Sequence, residues 1–225
     1  MQIFQQNRPN DPSVTYLSAK LYYAQEQYDL AETQAKMCLA SAAEDGHKKD
    51  CILLLLDIYC LNPQPDYDSL LDFLDDASAN LSQGPYIELI EREGELYFER
   101  AAQSKDDNDY LQAAACFDQL LQLGYRRAHI YRNAGIALQY AKSFDKAQEV
   151  LLEMSSEFPE NYLSYYQLAF LYIEMEGLKP VEERDYSRVI EMYEKVIELT
   201  NGTPNQTSIL PLTDRIAELA EKGWN

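Results

Sequence analysis

Residues 128–161 read A-H-I-Y-R-N-A-G-I-A-L-Q-Y-A-K-S-F-D-K-A-Q-E-V-L-L-E-M-S-S-E-F-P-E-N. Tyr131, Ala134, Gly135 and Leu138 recur at i, i+3, i+4 and i+7, the spacing that lines up side chains on one helix face. Ala147, Leu151 and Met154 repeat the pattern after a break, so the stretch predicts two helices. Gly135 and Ala147 are small where the two should meet, which lets the backbones approach closely. Pro159 ends the second helix, because it has no amide hydrogen and its ring clashes with the preceding turn.

The same pattern recurs on both sides. Upstream, Ala19, Tyr22, Tyr28, Ala31 and Cys38 fall in phase, and Asp11 before Pro12 reads as the N-cap of the opening helix. Gly94, Tyr97, Tyr110, Ala113, Phe117 and Leu120 form another unit, with about two extra helical turns expected between Gly94 and Ala113. Downstream, Tyr165, Leu168-Ala169, Tyr172, Tyr186, Val189, Tyr193 and Val196 fit, with E-G-L-K-P-V-E-E inserted. Ile52, Leu55, Leu56, Tyr59, Tyr67, Leu70, Leu74 and Ala77 give a fainter unit, interrupted by N-P-Q-P-D and without a small residue at the helix crossing. Gly46, Gly84, Gly124 and Gly202 each follow a Leu/Ala-rich run, the place where a helix ends in a left-handed residue.

The unit at 128–161 resembles the tetratricopeptide repeat. The positions that carry the resemblance are Tyr131, Ala134-Gly135, Leu138, Ala147, Leu151, Met154 and Pro159, with Phe144 at the usual tyrosine and Y-D-L-A from Tyr28 to Ala31 close to the family's turn. The expected fold is all-α, a right-handed α-solenoid of about five helix pairs at 12–46, 49–83, 86–124, 128–161 and 162–200. A polar segment (1–11) precedes it, and a loop with a capping helix from Leu212 (201–225) follows, giving eleven helices in all.

In repeats of this family the first helix of each pair lines a concave peptide-binding groove. Carried onto this sequence, the resemblance implies a groove from Tyr16, Lys20 and Tyr23, then Asp50 and Asp57, then the stripe Glu88, Glu91, Glu95 and Glu99. It continues with His129, Arg132, Asn133, Ile136 and Tyr140 and closes with Tyr166, Phe170 and Glu174. Such a groove suits a protein or peptide ligand of mixed charge. Arg132 and Asn133 alone match the carboxylate clamp of some co-chaperone members, because Tyr166 and Gln167 stand at the equivalent places of the next repeat, so that clamp is not expected.

Charge narrows the partners. Of 225 residues, 38 are acidic and 19 are Lys or Arg, a net charge of −19. Phosphate backbones and anionic membrane surfaces are repelled by such a chain, so neither nucleic acid nor a lipid surface is an expected partner. The charge is uneven: residues 50–118 hold 16 acids and 3 bases, whereas 119–146 hold 5 bases and one acid. No apolar run approaches 18 residues, and the opening M-Q-I-F-Q-Q-N-R-P lacks a secretory h-region, which points to the cytoplasm unless a targeting segment has been removed.

Chemistry-bearing motifs are sparse. No phosphate-binding glycine loop, G-x-S-x-G or H-E-x-x-H occurs, and the two histidines are His47 and His129. Cys38, Cys51, Cys60 and Cys116 lie in apolar helical runs and read as buried free thiols, at spacings foreign to zinc fingers. D-D-N-D at 106–109 lacks the Gly and terminal Glu of a calcium loop. Neither metal nor cofactor is expected. The sequons at Asn80, Asn201 and Asn205 read as turn and cap residues.

The leading reading is a non-catalytic interaction scaffold. A second reading is a regulatory or sensor module of a longer signalling protein, motivated by the linker-like Gln5–Asn10. A third and weaker one is an enzyme built on the inserts at 105–109 and 176–185. Exposed ends of a repeat stack also leave self-association open.

Overall fold

The computed structural model describes residues 11–42, 44–206 and 211–222. Helix α1 (Pro12–Ala24) starts where the sequence places it: the Asp11 carboxylate accepts a hydrogen bond from Ser13 N at 3.0 Å, and Pro12 occupies the first turn. The same device opens three later helices, with Asp66 capping α4 (Tyr67–Ser78), Asp106 capping α6 (Asp107–Gln122) and Asn161 capping α9 (Tyr162–Gly177). The remaining helices are α2 (Tyr28–Ser41), α3 (Asp45–Tyr59), α5 (Ile87–Ser104), α7 (Ala128–Tyr140), α8 (Phe144–Glu157), α10 (Ser187–Thr200) and α11 (Pro211–Lys222). A short 3-10 turn covers Val181–Glu183, and the described residues contain eleven α-helices and no strand. The calcium-like D-D-N-D is thus a helix start, whose acids complement the positive end of the helix dipole.

The chain divides into two compact units at Gln103–Ser104, in the last turn of α5. In the first, α1 and α2 pack as an antiparallel pair with α3 against both. Their contact is built on Ala19, Ala31 and Ala35, facing Leu55 and Ile58 of α3. A second cluster joins Ile52 and Leu56 of α3, Leu70, Leu71 and Leu74 of α4, and Leu89 and Leu96 of α5. The faint repeat of the sequence is therefore held by leucine-rich packing instead of a small-residue crossing.

In the second unit α6, α7, α8, α9 and α10 pack each on the next, with α11 on α10. Gly135 is buried against Leu151, so that a Cβ at Gly135 would stand 2.6 Å from the Leu151 Cγ. The surplus between Gly94 and Ala113 is taken up as helix: α5 has 18 residues against 13 in α7, and α6 has 16 against 14 in α8.

Two of the four glycines depart from the sequence reading. Gly124 and Gly202 do follow helices in the left-handed region, at φ 82° and 73°. Gly46 instead lies in the first turn of α3, because α2 has already ended at Ser41 and Asp45 opens the next helix. Gly84 sits before Pro85 without a left-handed φ. Three turns use non-glycine residues there: Glu26, Lys105 and Lys142 have φ between 56° and 61°.

Lys48 approaches Asp45 at 3.7 Å within α3, and three hydrogen bonds donated to the Asp45 carboxylate by Ser82 N, Ser82 Oγ and Gln83 N (2.7 Å each) tie the start of α3 to the segment before α5. These bonds, that from the Ser82 side chain foremost, hold the Asp45 carboxyl below its ordinary value. The E-G-L-K-P-V-E-E insert is pinned likewise: Arg184 donates to the carbonyls of Gly177 and Lys179, and Asp185 N donates to Glu176. Of the sequon residues, Asn80 donates to Asp76 O at the end of α4 and Asn201 caps α10. The four cysteines are free thiols. The N-terminal segment up to Asn10 and residues 207–210 of the last loop lie outside the described residues.

Tyr131, read from the sequence as a packing residue, is fully buried and also polar-bonded. Its hydroxyl donates to Glu153 (3.0 Å) and accepts from Arg126 (3.0 Å), which in turn pairs with Glu153 and Glu157. Burial, with Glu153 second, pushes the phenol up to about 12. Replacing Tyr131 by Phe keeps the ring and removes the hydroxyl's two hydrogen bonds, while Arg126 and Glu153 stay paired with each other. The expected loss is about 1–2 kcal/mol in urea unfolding, and an unchanged midpoint would mean that the cluster contributes nothing to stability.

Candidate functional site

The residues expected to line a groove lie on the odd-numbered helices, which the two units present separately. In the first unit, Tyr16 and Lys20 stand one turn apart on α1 with the ammonium 5.6 Å from the ring centroid. Burial raises the Tyr16 phenol above its ordinary value, and the Asp50 carboxylate of α3 adds to the rise while Lys49 opposes it. Tyr23 is raised by burial first and by Asp57 second, and its ring stands edge-to-face with Tyr28, the centroids 5.7 Å apart. Both phenols stay protonated at neutral pH and can donate hydrogen bonds.

Two cations that the sequence reading left out enter this face. Lys49 bonds Glu88 at 2.6 Å and approaches Asp50 at 3.4 Å; Arg92 reaches Asp57 at 3.4 Å and Glu95 at 3.0 Å. Both are largely covered, their side chains 17% and 18% exposed. The bond from Lys49 holds the Glu88 carboxyl below its ordinary range. Burial pushes Asp57 the other way, with Arg92 opposing. Glu99 bonds Tyr67 of α4, and burial together with Glu99 pushes that phenol up to about 12. The glutamate stripe is therefore not bare: Glu88 and Glu95 carry partner cations, Glu99 turns to a tyrosine, and half-buried Glu91 lies between them. What the face offers is alternating charge with phenol donors along α1.

In the second unit α7 and α9 pack side by side. Arg132, Asn133 and Ile136 are half-buried along α7, and the Arg132 Nε is buried without a hydrogen-bond partner. Tyr140, at the end of α7, is 56% exposed and stacks on Tyr110 of α6 with centroids 5.1 Å apart. Gln139, absent from the sequence-based list, donates to Glu174 of α9 and links the two helices. Tyr166 stands edge-to-face with Phe170, centroids 4.9 Å apart, and its ring centroid lies 6.5 Å from that of Tyr193 of α10; Phe170 is 40% exposed. His129 is exposed and packs edge-on to Tyr125, 6.4 Å away. This face is thus aromatic and amide-rich around one half-buried guanidinium.

The other histidine makes a formal Ser–His–Glu array: Ser13 Oγ lies 3.4 Å from His47 Nε2, and Glu44 lies 3.5 Å from Nδ1. It lacks what acyl transfer needs. The Glu44 side chain is 82% exposed and cannot fix the imidazole, and the Ser13 amide is already bonded to Asp11. The contact joins the starts of α1 and α3. Among the described residues no group of three or more His, Cys, Asp or Glu side chains is arranged to hold a metal ion. No described helix is long and apolar enough to cross a membrane.

No family model matches the sequence, and no curated protein matches it. Solved structures do match the fold. YrrB, described as a TPR protein with an unusual peptide-binding site, superposes over 95% of this chain and 97% of its own at a TM-score of 0.66 with 13% identity. The C-terminal part of a TPR repeat-containing protein from Cytophaga hutchinsonii gives 0.73 at 15% identity, over 98% of this chain and 81% of its own. TTC0263, a thermophilic TPR protein of Thermus thermophilus, gives 0.53 at 18% identity, over 93% and 99%. The chain has the TPR-like helical-repeat fold.

Proposed function

We propose that this chain is a non-catalytic scaffold that binds a protein segment or peptide on the faces of its odd-numbered helices, read as the first members of five helix pairs ahead of a terminal helix. The observation that carries the reading is the group of aromatic side chains left in solvent in the second unit, Tyr140 and Phe170 with half-buried Tyr166, beside the half-buried Arg132. A scaffold of this fold has no internal need to expose them, and a ligand that covers them gains aromatic burial. YrrB, of the same fold, is described as having a peptide-binding site, which supports the reading. The first unit's alternating acids and cations suit a ligand segment of mixed charge, where each exposed pair adds about 0–1 kcal/mol and sets orientation more than affinity.

The test is a double substitution, Arg132→Glu with Tyr166→Ala, in affinity capture from native extract followed by titration of the captured partner. Binding should weaken at least about 30-fold, the equivalent of about 2 kcal/mol, with circular dichroism unchanged. Full retention of binding would place the ligand elsewhere on the chain.

A further inference from the structure

Two thiols face each other inside the first unit. Helix α2 ends at Ser41 and α3 begins at Asp45, so a short connection turns the chain back and the two helices pack antiparallel. The buried stripe of α2 is Ala31, Ala35 and Cys38, and the buried residues of α3 include Cys51, Leu54, Leu55 and Ile58. Ala31 and Ala35 share one cluster with Leu54, Leu55 and Ile58. In an antiparallel pair, each step towards the end of one helix is matched by an equal step towards the start of the other. Continuing the register of the alanines by one turn therefore brings Cys38 to Cys51. The two thiols are hydrogen-bonded to each other there. Small alanines on α2 keep the helices close, as a cross-link needs, since a disulfide spans only about 4.4–6.8 Å between Cα atoms.

Their surroundings give the two sulfurs different roles. The hydrogen bond from Cys51, helped by one from the Thr15 side chain, holds the Cys38 thiol below its ordinary value against the effect of burial. The bond to Cys38, with burial, pushes Cys51 the other way. Cys38 is therefore the sulfur that ionises first, and a thiolate is the form that attacks. In the reduced chain its thiol is fixed by donation to the Pro12 carbonyl at 3.4 Å. The other two cysteines stand apart from this pair: Cys60 follows the end of α3, and Cys116 lies in α6 of the second unit. Cys38 and Cys51 are fully buried, so an oxidant reaches them only through local opening, and the packing of α2 on α3 selects which sulfurs join.

We propose that Cys38 and Cys51 are a modification site, joined as a disulfide by hydrogen peroxide, with Cys38 attacking and Cys51 resolving. The Cys38 thiolate attacks one peroxide oxygen; an S–O bond forms, the O–O bond breaks, and the departing hydroxide takes up the proton that Cys38 released, giving water. Cys38 is then a sulfenic acid. The Cys51 sulfur attacks the Cys38 sulfur, the S–S bond forms as the S–O bond breaks, and the hydroxyl leaves with the Cys51 proton as a second water. The two thiols are oxidised and the peroxide is reduced by two electrons. Burial first, and then Asp50, Cys51 and Cys38, raise the Tyr16 phenol, so the cross-link sits beside the face that Tyr16 presents.

The test treats the reduced full chain with excess hydrogen peroxide, quenches it with catalase, and alkylates the remaining thiols in urea. Intact mass should show two of the four thiols lost, and restored by dithiothreitol. Digestion without reductant, cut at Lys49 and at Asp57 so that Cys38, Cys51 and Cys60 fall on separate peptides, should yield Cys38 linked to Cys51 within one chain. Cys51→Ala, its folding checked by circular dichroism, should stop at the sulfenic acid, trapped on Cys38 by dimedone. Cys38→Ala should lower dimedone labelling at Cys51 at least about tenfold relative to Cys38 in the first variant. Four intact thiols in the treated wild type, a bond joining any other pair of cysteines, or a bond between two chains would overturn the proposal without reference to the variants. A folded Cys51→Ala chain labelled elsewhere than at Cys38 would overturn the assignment of roles.

Discussion

Gly135→Val should destabilise the second unit by about 3 kcal/mol, read as a fall in the urea midpoint followed by far-UV circular dichroism. At Gly135 even a bare Cβ would lie 2.6 Å from both Cγ and Cδ2 of Leu151, and 3.2 Å from Cδ1. The Cγ is the branch point of that side chain, not its tip, so relief requires α7 and α8 to separate or Leu151 to leave its rotamer. Leu151 is fully buried. Gly135→Ala sharpens the argument, because Ala gains about 1 kcal/mol of helix propensity while overpacking costs about 1–3 kcal/mol. Leu151→Ala alone should cost about 2–5 kcal/mol through its cavity. In the double variant the new methyl occupies part of that cavity, so the combined loss should fall short of the sum by about 1–2 kcal/mol. Strict additivity, or a Gly135→Val protein with an unchanged midpoint, would show that the two helices do not meet at this point.

This contact was legible in the sequence for the reason that makes it sensitive. A glycine inside a helical run, in phase with Tyr131 and Leu138, has no local benefit and marks a close backbone approach. The leucine-held α3–α4–α5 cluster gave no such mark, because Ile52, Leu56, Leu70 and Leu74 fit many arrangements of helices. Gly46 misled because a Gly after an Ala-rich run looks like a helix end; the adjacent Glu44 and Asp45, acids of the kind that favour a helix start, were the better signal. Lys49 and Arg92 went unnoticed because the groove was drawn as a stripe of positions. Their long stems carry the charge sideways to acids that a stripe assigns to itself, and the i, i+3 spacing of Arg92 and Glu95 was the readable sign. Gln139 has no sequence mark that separates it from other amides of a helix end. Its partner Glu174 lies 35 residues away, a pairing that only the packing of α7 on α9 creates.

Arg92 should be the most consequential polar residue of the first unit. Breaking a fully buried ion pair costs about 3–5 kcal/mol, but Asp57 and Glu95 are 51% and 39% exposed, so Arg92→Ala should cost less, about 2 kcal/mol near neutral pH. Part of that loss is the packed alkyl stem. Arg92→Met retains the stem and isolates the charge. The pH dependence then separates electrostatics from packing. Burial already raises the Asp57 carboxyl, and Arg92 is the group that opposes the rise. Without Arg92 the folded-state value climbs further above the unfolded one. A raised carboxyl means that the folded chain binds the proton more tightly than the unfolded chain does. The charged form therefore penalises folding above the folded value, and the penalty fades as pH falls below it. Asp45 runs the opposite way, its contribution present above the ordinary carboxylate value and lost as pH falls through its lowered one. Wild type and variant share that loss, so it cancels in their difference. The gap in urea midpoint between wild type and Arg92→Met should consequently narrow from pH 7.5 to pH 4.5. A gap constant across that range would assign Arg92 to packing alone and remove it from the charge pattern that the first unit presents to a ligand.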